Sequence, residues 1–305
     1  MVFGIFRRAA LLAFLPFVLP ARAADPPRVI ASIAPVHSLV AAVMAGVGDP
    51  HLLVAPGASP HTLALKPSEA AALHQADLIF WIGPGLEGFL RRPLADLKPG
   101  ARAVRLSAAT GLSLLAAREP EHDDGHDKAD KTGAAVDMHL WLDPANARVL
   151  LGAIAAAMAE RDPARAGHYR ANAERAAGEM NALERELAAA LKPVAGRPFV
   201  VFHDAYQYFE RRFGLRTAGA IAAGSDRPLG AGQTAALYER ARQQGARCVF
   251  AEPQFSPRAV AAIAEAIGAQ SGVLDPLGQG LEPGPGLYPA MMRGLAKSLV
   301  SCLGR

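Results

Sequence analysis

The stretch PARAGHYRANAERAAGEMNALERELAAAL, residues 163–191, decides the architecture of this 305-residue chain. Small and apolar side chains recur along it at steps of three and four, which is the spacing of one helical face. Pro163 suits the first turn of a helix, and Pro193 ends it. The pattern predicts a rigid linking helix of about 43 Å over residues 163–192; the alternative is one more surface helix of the first half. The predicted face comprises Tyr169, Ala173, Ala176, Met180, Leu183, Leu187 and Leu191.

Short apolar runs alternate with helical stretches on both sides of this segment. That alternation predicts two parallel-sheet α/β lobes, one over residues 24–162 and one over residues 193–305. The predicted strands are Arg28–Ser32, Leu52–Val54, Leu78–Ile82, Ala103–Leu106, Phe199–His203, Arg216–Ala220, Cys248–Ala251 and Gly272–Leu274. The predicted helices are His37–Ala45, Pro67–Gln75, Leu86–Leu97, Ala205–Phe213, Thr234–Gln244, Pro257–Gly268 and Tyr288–Leu303.

Residues 1–23 have the pattern of a secretory signal peptide. Arg7 and Arg8 are followed by an apolar run too short to span a bilayer, and then by the cleavage pattern Ala21-Arg22-Ala23. We expect cleavage after Ala23 and a soluble protein exported to the periplasm. Without the three arginines of the signal, the chain has 29 basic and 28 acidic side chains. This balance, with no basic stripe of interleaved aromatics, argues against nucleic-acid binding.

The chain has two cysteines, Cys248 and Cys302. An even count in an exported protein favours one disulfide, which would tie the last helix to the strand that contains Cys248. The alternative is two buried free thiols. In either case, the cysteines are poor candidates for metal ligands.

Three histidines stand in short loop-like segments far apart in the sequence: His61 in SPHTLALKP, His139 in DMHLWLDP and His203 in VFHDAYQYF. Each alone is most simply a structural loop histidine. In α/β folds, however, loops at the carboxyl ends of strands converge on the ligand crevice. Three neutral imidazoles are enough for a zinc site with one open position. The three segments therefore predict a metal site in the cleft between the lobes.

Further candidates surround this set. Asp275, in VLDPLG, is a possible fourth ligand; it could instead cap the following turn, and a water could share or replace it. Residues 118–135 form a charged, helix-poor segment that we expect to be a mobile loop. Its His122 and His126 could hold zinc weakly, or the loop could be merely solvated.

Two features of the sequence could instead indicate an enzyme. The segment Gly83–Gly88 matches G-x-G-x-x-G, but no acidic residue follows at the distance that a dinucleotide site requires, so we interpret it as a tight strand–helix turn. Three histidines with an open position also describe a hydrolytic zinc site, which would need a general base. No HExxH motif is present, although Glu252 in AEPQF is a possible base.

Six segments together carry a family resemblance. In chain order they are ASIAPVHSLVAAV, GASPHTLALKPSEA, ADLIFWIGPGLEGFL, DMHLWLDP, FHDAYQYF and VFAEPQF. They resemble the periplasmic zinc-binding proteins of ABC uptake transporters over nearly the whole mature chain. The resemblance implies two α/β lobes joined by a rigid helix, with one metal between them held by His61, His139 and His203. Asp275 matches an aspartate that binds metal in some members only, and the paired cysteines match the zinc branch.

The resemblance implies a monomeric, non-enzymatic zinc scavenger that delivers Zn²⁺ to a membrane permease driven by a cytoplasmic ATPase. Manganese- and iron-type members tend to carry a carboxylate where this chain has His203, so the third imidazole favours zinc. A manganese or iron carrier or a surface adhesin of the same fold is the nearest alternative, and a zinc-dependent hydrolase is the more distant one. Two departures from the family are Pro60, where some zinc members have an acid, and the few histidines in the loop of residues 118–135.

Overall fold

The computed structural model describes residues 25–118, 135–223 and 227–305. The predicted signal peptide, with its cleavage site, and both loop histidines, His122 and His126, lie outside these residues. The two lobes expected from the sequence are present, each built on its own sheet. In the N-terminal lobe the strands are β1 (Val29–Ala31), β2 (His51–Leu52), β3 (Leu78–Trp81) and β4 (Arg102–Arg105), and the helices are α1 (Ala34–Met44), α2 (Pro67–Gln75) and α3 (Pro144–Arg161).

The chain then runs through α4 (Ala166–Leu191) into the C-terminal lobe. The strands of that lobe are β5 (Pro198–His203), β6 (Arg216–Ala223), β7 (Arg227–Pro228), β8 (Cys248–Ala251) and β9 (Gln270–Val273). Its helices are α5 (Gln207–Phe213), α6 (Ala231–Gln244), α7 (Arg258–Ile267) and α8 (Leu287–Leu303).

The two sheets share one design. The first has the order β2-β1-β3-β4 with every pair parallel. The second has the order β7-β6-β5-β8-β9 and is parallel except for the short edge strand β7. The interior strands β3 and β8 are buried along their whole length, as strands covered by helices on both faces must be. Both β1 and β5 lie inside their sheets. In parallel sheets of this kind, the ligand crevice lies beyond the carboxyl ends of the strands.

The helix α4 joins the lobes as predicted. Its 26 residues, flanked by a 3₁₀ turn at each end, bury the seven side chains of the predicted face. It packs against α1 and α3 of the first lobe and against α8 of the second. One continuous core therefore crosses from lobe to lobe, with Val36 of α1, Leu183 of α4 and Leu295 of α8 among its members. The exact lobe boundaries remain predictions.

The helix predicted at Leu86–Leu97 is wrong. The structure has two separate 3₁₀ turns there, Gly88–Leu90 and Pro93–Ala95. Pro93 has no backbone N–H and clashes with the preceding turn, and Gly88 weakens any helix that contains it. The apolar spacing indicated a helix, but Pro93 and Gly88 disfavour one more strongly than the spacing favours it.

The segment Gly83–Gly88 forms a tight turn after β3, although no α-helix follows it. Glu87 is fully buried, and its carboxylate accepts hydrogen bonds from the backbone N–H of Ile82 (3.1 Å) and of Gly83 (2.8 Å) and from the hydroxyl of Ser32 (2.5 Å). Gly83 has φ +153°, and a Cβ there would lie 2.7 Å from Ser107 Oγ. The match to G-x-G-x-x-G is therefore explained by the packing at Gly83 and by the hydrogen bonds of Glu87, as the interpretation of a tight turn requires.

A disulfide joins Cys248 of β8 to Cys302 of α8 and closes a separation of 54 residues, as predicted. It fastens the last helix, which also contacts α1 and α4, to the second sheet. Within the residues that the structure describes, no helix is long and apolar enough to cross a membrane.

Candidate metal centre

His61 lies in the loop between β2 and α2. The loop turns at Gly57, whose positive φ of +88° favours glycine. The backbone N–H of His61 donates to Ser59 Oγ at 3.3 Å, which fixes the chain just before the imidazole. The side chain is partly buried and points into the cleft, where Pro60 and Ser59 form part of the wall.

His139 comes immediately before a 3₁₀ turn of three buried residues, Leu140–Leu142. Asp143 then caps α3 by accepting a hydrogen bond from the N–H of Ala145 at 2.8 Å. The segment is also tied to the second lobe, because the indole N–H of Trp141 donates to the carbonyl of Pro276 at 2.9 Å. A bidentate ion pair between Arg212 and Asp143 adds a second tie.

His203 is the last residue of β5, the central strand of the second sheet. The strand residues Phe199, Val200 and Val201 before it are apolar and buried, so the position of the imidazole follows from the sheet rather than from a loop. His203 and His139 are only 4% and 8% exposed, which keeps both imidazoles largely out of water.

The fold brings the three imidazoles together. One ligand atom from each of His61, His139 and His203 lies within 4.8 Å of the others. The Nε2 atoms of His139 and His203 are 3.2 Å apart. Two nitrogens on one tetrahedral zinc ion, at Zn–N distances of about 2.0–2.1 Å, would be about 3.4 Å apart. The spacing of this pair therefore suits a shared metal ion.

The electrostatics keep His61 available as a ligand. Burial, and secondarily the nearby His139 and His203, lower its pKa from 6.5 to about 3. The imidazole is therefore neutral above that pH and offers a lone pair, as a metal ligand must.

Two carboxylates contact the outer nitrogens of the other two histidines. Asp137 Oδ1 lies 2.9 Å from His139 Nδ1, and Glu252 Oε1 lies 2.7 Å from His203 Nδ1. Burial raises the pKa of Asp137, but the hydrogen bonds from His139 outweigh it and hold the pKa below its usual value. Asp137 was not predicted from the sequence; its position two residues before a candidate ligand was the available signal.

Asp275 is not brought into the cluster. Its Oδ1 accepts hydrogen bonds from the N–H groups of Leu277 and Gly278, each at 3.0 Å, and from Gln254 Nε2 at 3.2 Å. These bonds describe a carboxylate that caps the turn after β9, which was the structural alternative. Burial raises the pKa of this carboxyl. Among the described residues, the metal-ligand group contains histidines only.

The cleft above the histidines is walled by both lobes and has a cavity volume of about 10 Å³. Trp141 and Pro60 approach from one side, and Phe255, Pro276 and Leu277 from the other. A small, mostly apolar cavity of this kind suits a bare ion rather than an organic ligand, because pockets for organic ligands usually measure about 300–1,000 Å³.

Glu252, the possible general base of the hydrolase alternative, occupies another role. Its Oε1 is bonded to His203 Nδ1 and also accepts a hydrogen bond from the hydroxyl of Tyr206 at 3.2 Å. That oxygen is engaged on the side of His203 away from the shared metal position. It is therefore not placed to take a proton from a water on the metal.

Comparison with known proteins gives a consistent result. The family model described as "ZnuA: Zinc-uptake complex component A periplasmic" matches residues 29–302. The "High-affinity zinc uptake system protein ZnuA" of Brucella suis biovar 1 is 41% identical over 306 residues, covering 91% of this chain and 92% of that protein. The protein of the same description from Paracoccus denitrificans is 38% identical and covers 94% of each chain. A crystal structure of ZnuA superimposes with TM-score 0.79 at 28% identity and covers 91% of this chain and 99% of that one.

Proposed function

The chain belongs to the ZnuA family of periplasmic zinc-uptake components, and on that basis we propose that it binds one zinc ion through His61, His139 and His203. As a family member it is the zinc-binding component of an ABC uptake transporter and not an enzyme, so the hydrolase alternative is wrong. The transporter supplies its partners, a membrane permease and an ATPase.

One observation carries the proposed ligand set. Three imidazole nitrogens from separate parts of the chain lie within 4.8 Å of one another in a cleft between two lobes. Three imidazoles favour zinc, whereas manganese and magnesium prefer carboxylate and carbonyl oxygens. Within the described part of the chain no carboxylate belongs to this group, which argues against a manganese carrier. With three protein nitrogens, the fourth position is left to a water or, after a local rearrangement, to Asp275.

The proposed cycle needs no chemistry beyond coordination. Neutral imidazoles take up Zn²⁺ from dilute solution, and the buried cleft shields the ion from competing ligands. The ion then passes to the permease. Three finer points are part of the proposal: removal of residues 1–23 on export, a monomeric state, and weak auxiliary zinc binding by His122 and His126.

Growth under zinc limitation tests the uptake function. A strain in which the gene is deleted should grow poorly with a zinc chelator, and the wild-type gene should restore growth. The variant His139→Ala should be exported at the normal level and fail to restore growth. Full rescue by His139→Ala would contradict the ligand assignment, and rescue by added manganese rather than zinc would contradict the choice of metal. The mass of the periplasmic protein reports the cleavage site.

A further inference from the structure

Two buried carboxylates hold the outer nitrogens of two of the three clustered histidines. We infer that Asp137 and Glu252 are positioning residues of the zinc site: each fixes one ligand imidazole with Nε2 toward the metal, and together they supply the charge that balances the ion. This inference rests on the proposed function and goes beyond the ligands themselves.

The contact of Glu252 is the more buried of the two. Glu252 is 3% exposed and directly follows β8, the strand beside β5. Its Oε1 lies 2.7 Å from His203 Nδ1 and also accepts the hydrogen bond from Tyr206. The Tyr206 hydroxyl in turn is 3.3 Å from the carbonyl of Leu274, so the carboxylate has a fixed position. Since a carboxylate oxygen accepts, Nδ1 of His203 must donate.

The contact of Asp137 joins the two lobes. Its Oδ1 accepts from both the ring nitrogen and the backbone N–H of His139, each at 2.9 Å. Its Oδ2 accepts from Gln207 Nε2 at 3.2 Å, and the hydroxyl of Tyr208 donates to its carbonyl at 2.8 Å. Gln207 and Tyr208 open α5, the helix that begins four residues after His203. The orientation of His139 is therefore set in part by the lobe that carries His203.

The two contacts have one common consequence. With Nδ1–H committed to a carboxylate, the neutral form of each imidazole carries its lone pair on Nε2. The two lone pairs then face each other at 3.2 Å, an arrangement that a shared cation stabilises. The two carboxylates also bring negative charge beside a dication held by uncharged ligands, which offsets the charge of the ion. For His61, no hydrogen bond from the ring to a carboxylate is found within the described residues.

Four variants separate the hydrogen bond from the charge and from general damage. Glu252→Gln keeps an acceptor and removes the charge, whereas Glu252→Leu removes both. Asp137→Asn likewise keeps an acceptor for His139 and removes the charge. The matched control is Glu87→Gln, which alters another buried carboxylate, one whose side-chain hydrogen bonds among the described residues come from Ser32, Ile82 and Gly83 and from no histidine. All four are compared with wild type by chelator-competition titration with Zn²⁺ and by thermal unfolding of the metal-free protein.

We expect Glu252→Leu to weaken zinc binding by about ten- to a hundredfold and Glu252→Gln by a smaller factor. Asp137→Asn should behave like Glu252→Gln, and Glu87→Gln should leave zinc affinity unchanged whatever its effect on unfolding. If Glu252→Leu does not fold, the isosteric Glu252→Gln carries the test. Wild-type affinity in Glu252→Gln and Asp137→Asn, or an equal loss in Glu87→Gln, would overturn the inference. No zinc binding by wild type would instead overturn the proposed function, so the two failures are distinguishable.

A spectroscopic measurement isolates the positioning role. In zinc-loaded protein with ¹⁵N-labelled histidine, we expect two slowly exchanging Nδ1–H signals, one from His139 and one from His203. Glu252→Gln should shift the His203 signal and leave that of His139 in place, and Asp137→Asn should do the reverse, because a neutral amide oxygen accepts a weaker hydrogen bond than a carboxylate. Variants that change neither signal would show that the carboxylates stabilise the lobes without orienting the ligands.

Discussion

The three clustered imidazoles are held in different ways. His139 and His203 are each fixed at Nδ1 by a buried carboxylate. His61 is placed by its backbone, through the bond from its N–H to Ser59 Oγ, and by the turn at Gly57. The site therefore consists of one tightly oriented pair and a third ligand on a loop, all directed into one cleft.

Removal of one of the oriented pair should abolish tight binding. We expect His203→Ala to weaken zinc binding by more than about a hundredfold, because losing a ligand must cost more than losing its outer partner. His74→Ala, at the exposed end of α2, is the matched control and should bind like wild type. Chelator-competition titration measures both, and thermal unfolding of the metal-free proteins checks that each is folded. Tight zinc binding by His203→Ala would remove this residue from the site.

The pH dependence of zinc affinity reports the same ligands. Protons compete with zinc for imidazole nitrogens, so affinity should fall as the pH decreases. The pKa of His61, lowered to about 3 chiefly by burial, keeps that ring unprotonated at pH 5, so it releases no proton on binding there. We therefore expect no more than two protons released per zinc between pH 6 and 5, measured as the slope of log affinity against pH. A slope of three would contradict the neutral state of His61. Unchanged affinity between pH 8 and 5 would contradict the three-imidazole site.

For single residues, the sequence predicted site histidines from their positions at the ends of strands and the starts of helices. It could not predict roles that depend on which side chains meet across the cleft. His203 follows an apolar strand and His139 precedes a helix start, so their convergence could be inferred. Asp275 has the same local signal, an acid after a strand, and yet caps its own turn. A carboxylate that caps and a carboxylate that ligates have the same sequence pattern. Which of the two occurs depends on packing across the cleft.

At the level of elements, α4 provides the frame on which both lobes are built. Seven of its side chains are buried at helical spacing, and the helix contacts α1, α3 and α8. A strong periodicity of this length was predictable because every turn repeats the same signal. The 3₁₀ turns at Gly88–Leu90 and Pro93–Ala95 were not, since a short segment with a proline gives only one or two apolar matches.

Truncation within the buried face of α4 should destabilise the whole protein. Leu183 is 1% exposed and lies in the core shared by both lobes. We expect Leu183→Ala to lower the free energy of unfolding by about 2–5 kcal/mol, because it removes buried methyl groups and leaves a cavity. Arg185→Ala, on the exposed face of the same helix, should change it by less than about 0.5 kcal/mol. Urea unfolding of metal-free protein measures both, and equal effects would contradict the assigned face.

At the level of the whole molecule, the cleft is fixed by contacts that cross between the lobes. Trp141 donates to the carbonyl of Pro276, Arg212 pairs with Asp143, and the core runs through α4 from α1 to α8. Ligands from distant parts of the chain are thereby held in one place before any metal arrives. A preorganised site binds more tightly because less conformational freedom is lost on binding.

One titration decides whether this cleft is a zinc site built from three imidazoles. Tag-free mature protein, freed of metal, is titrated with Zn²⁺ and then with Mn²⁺ in competition with a chromogenic chelator. We predict one tight equivalent of zinc and far weaker binding of manganese, because neutral nitrogen ligands favour the softer ion. A preference for manganese, or no tight site at all, would contradict the account.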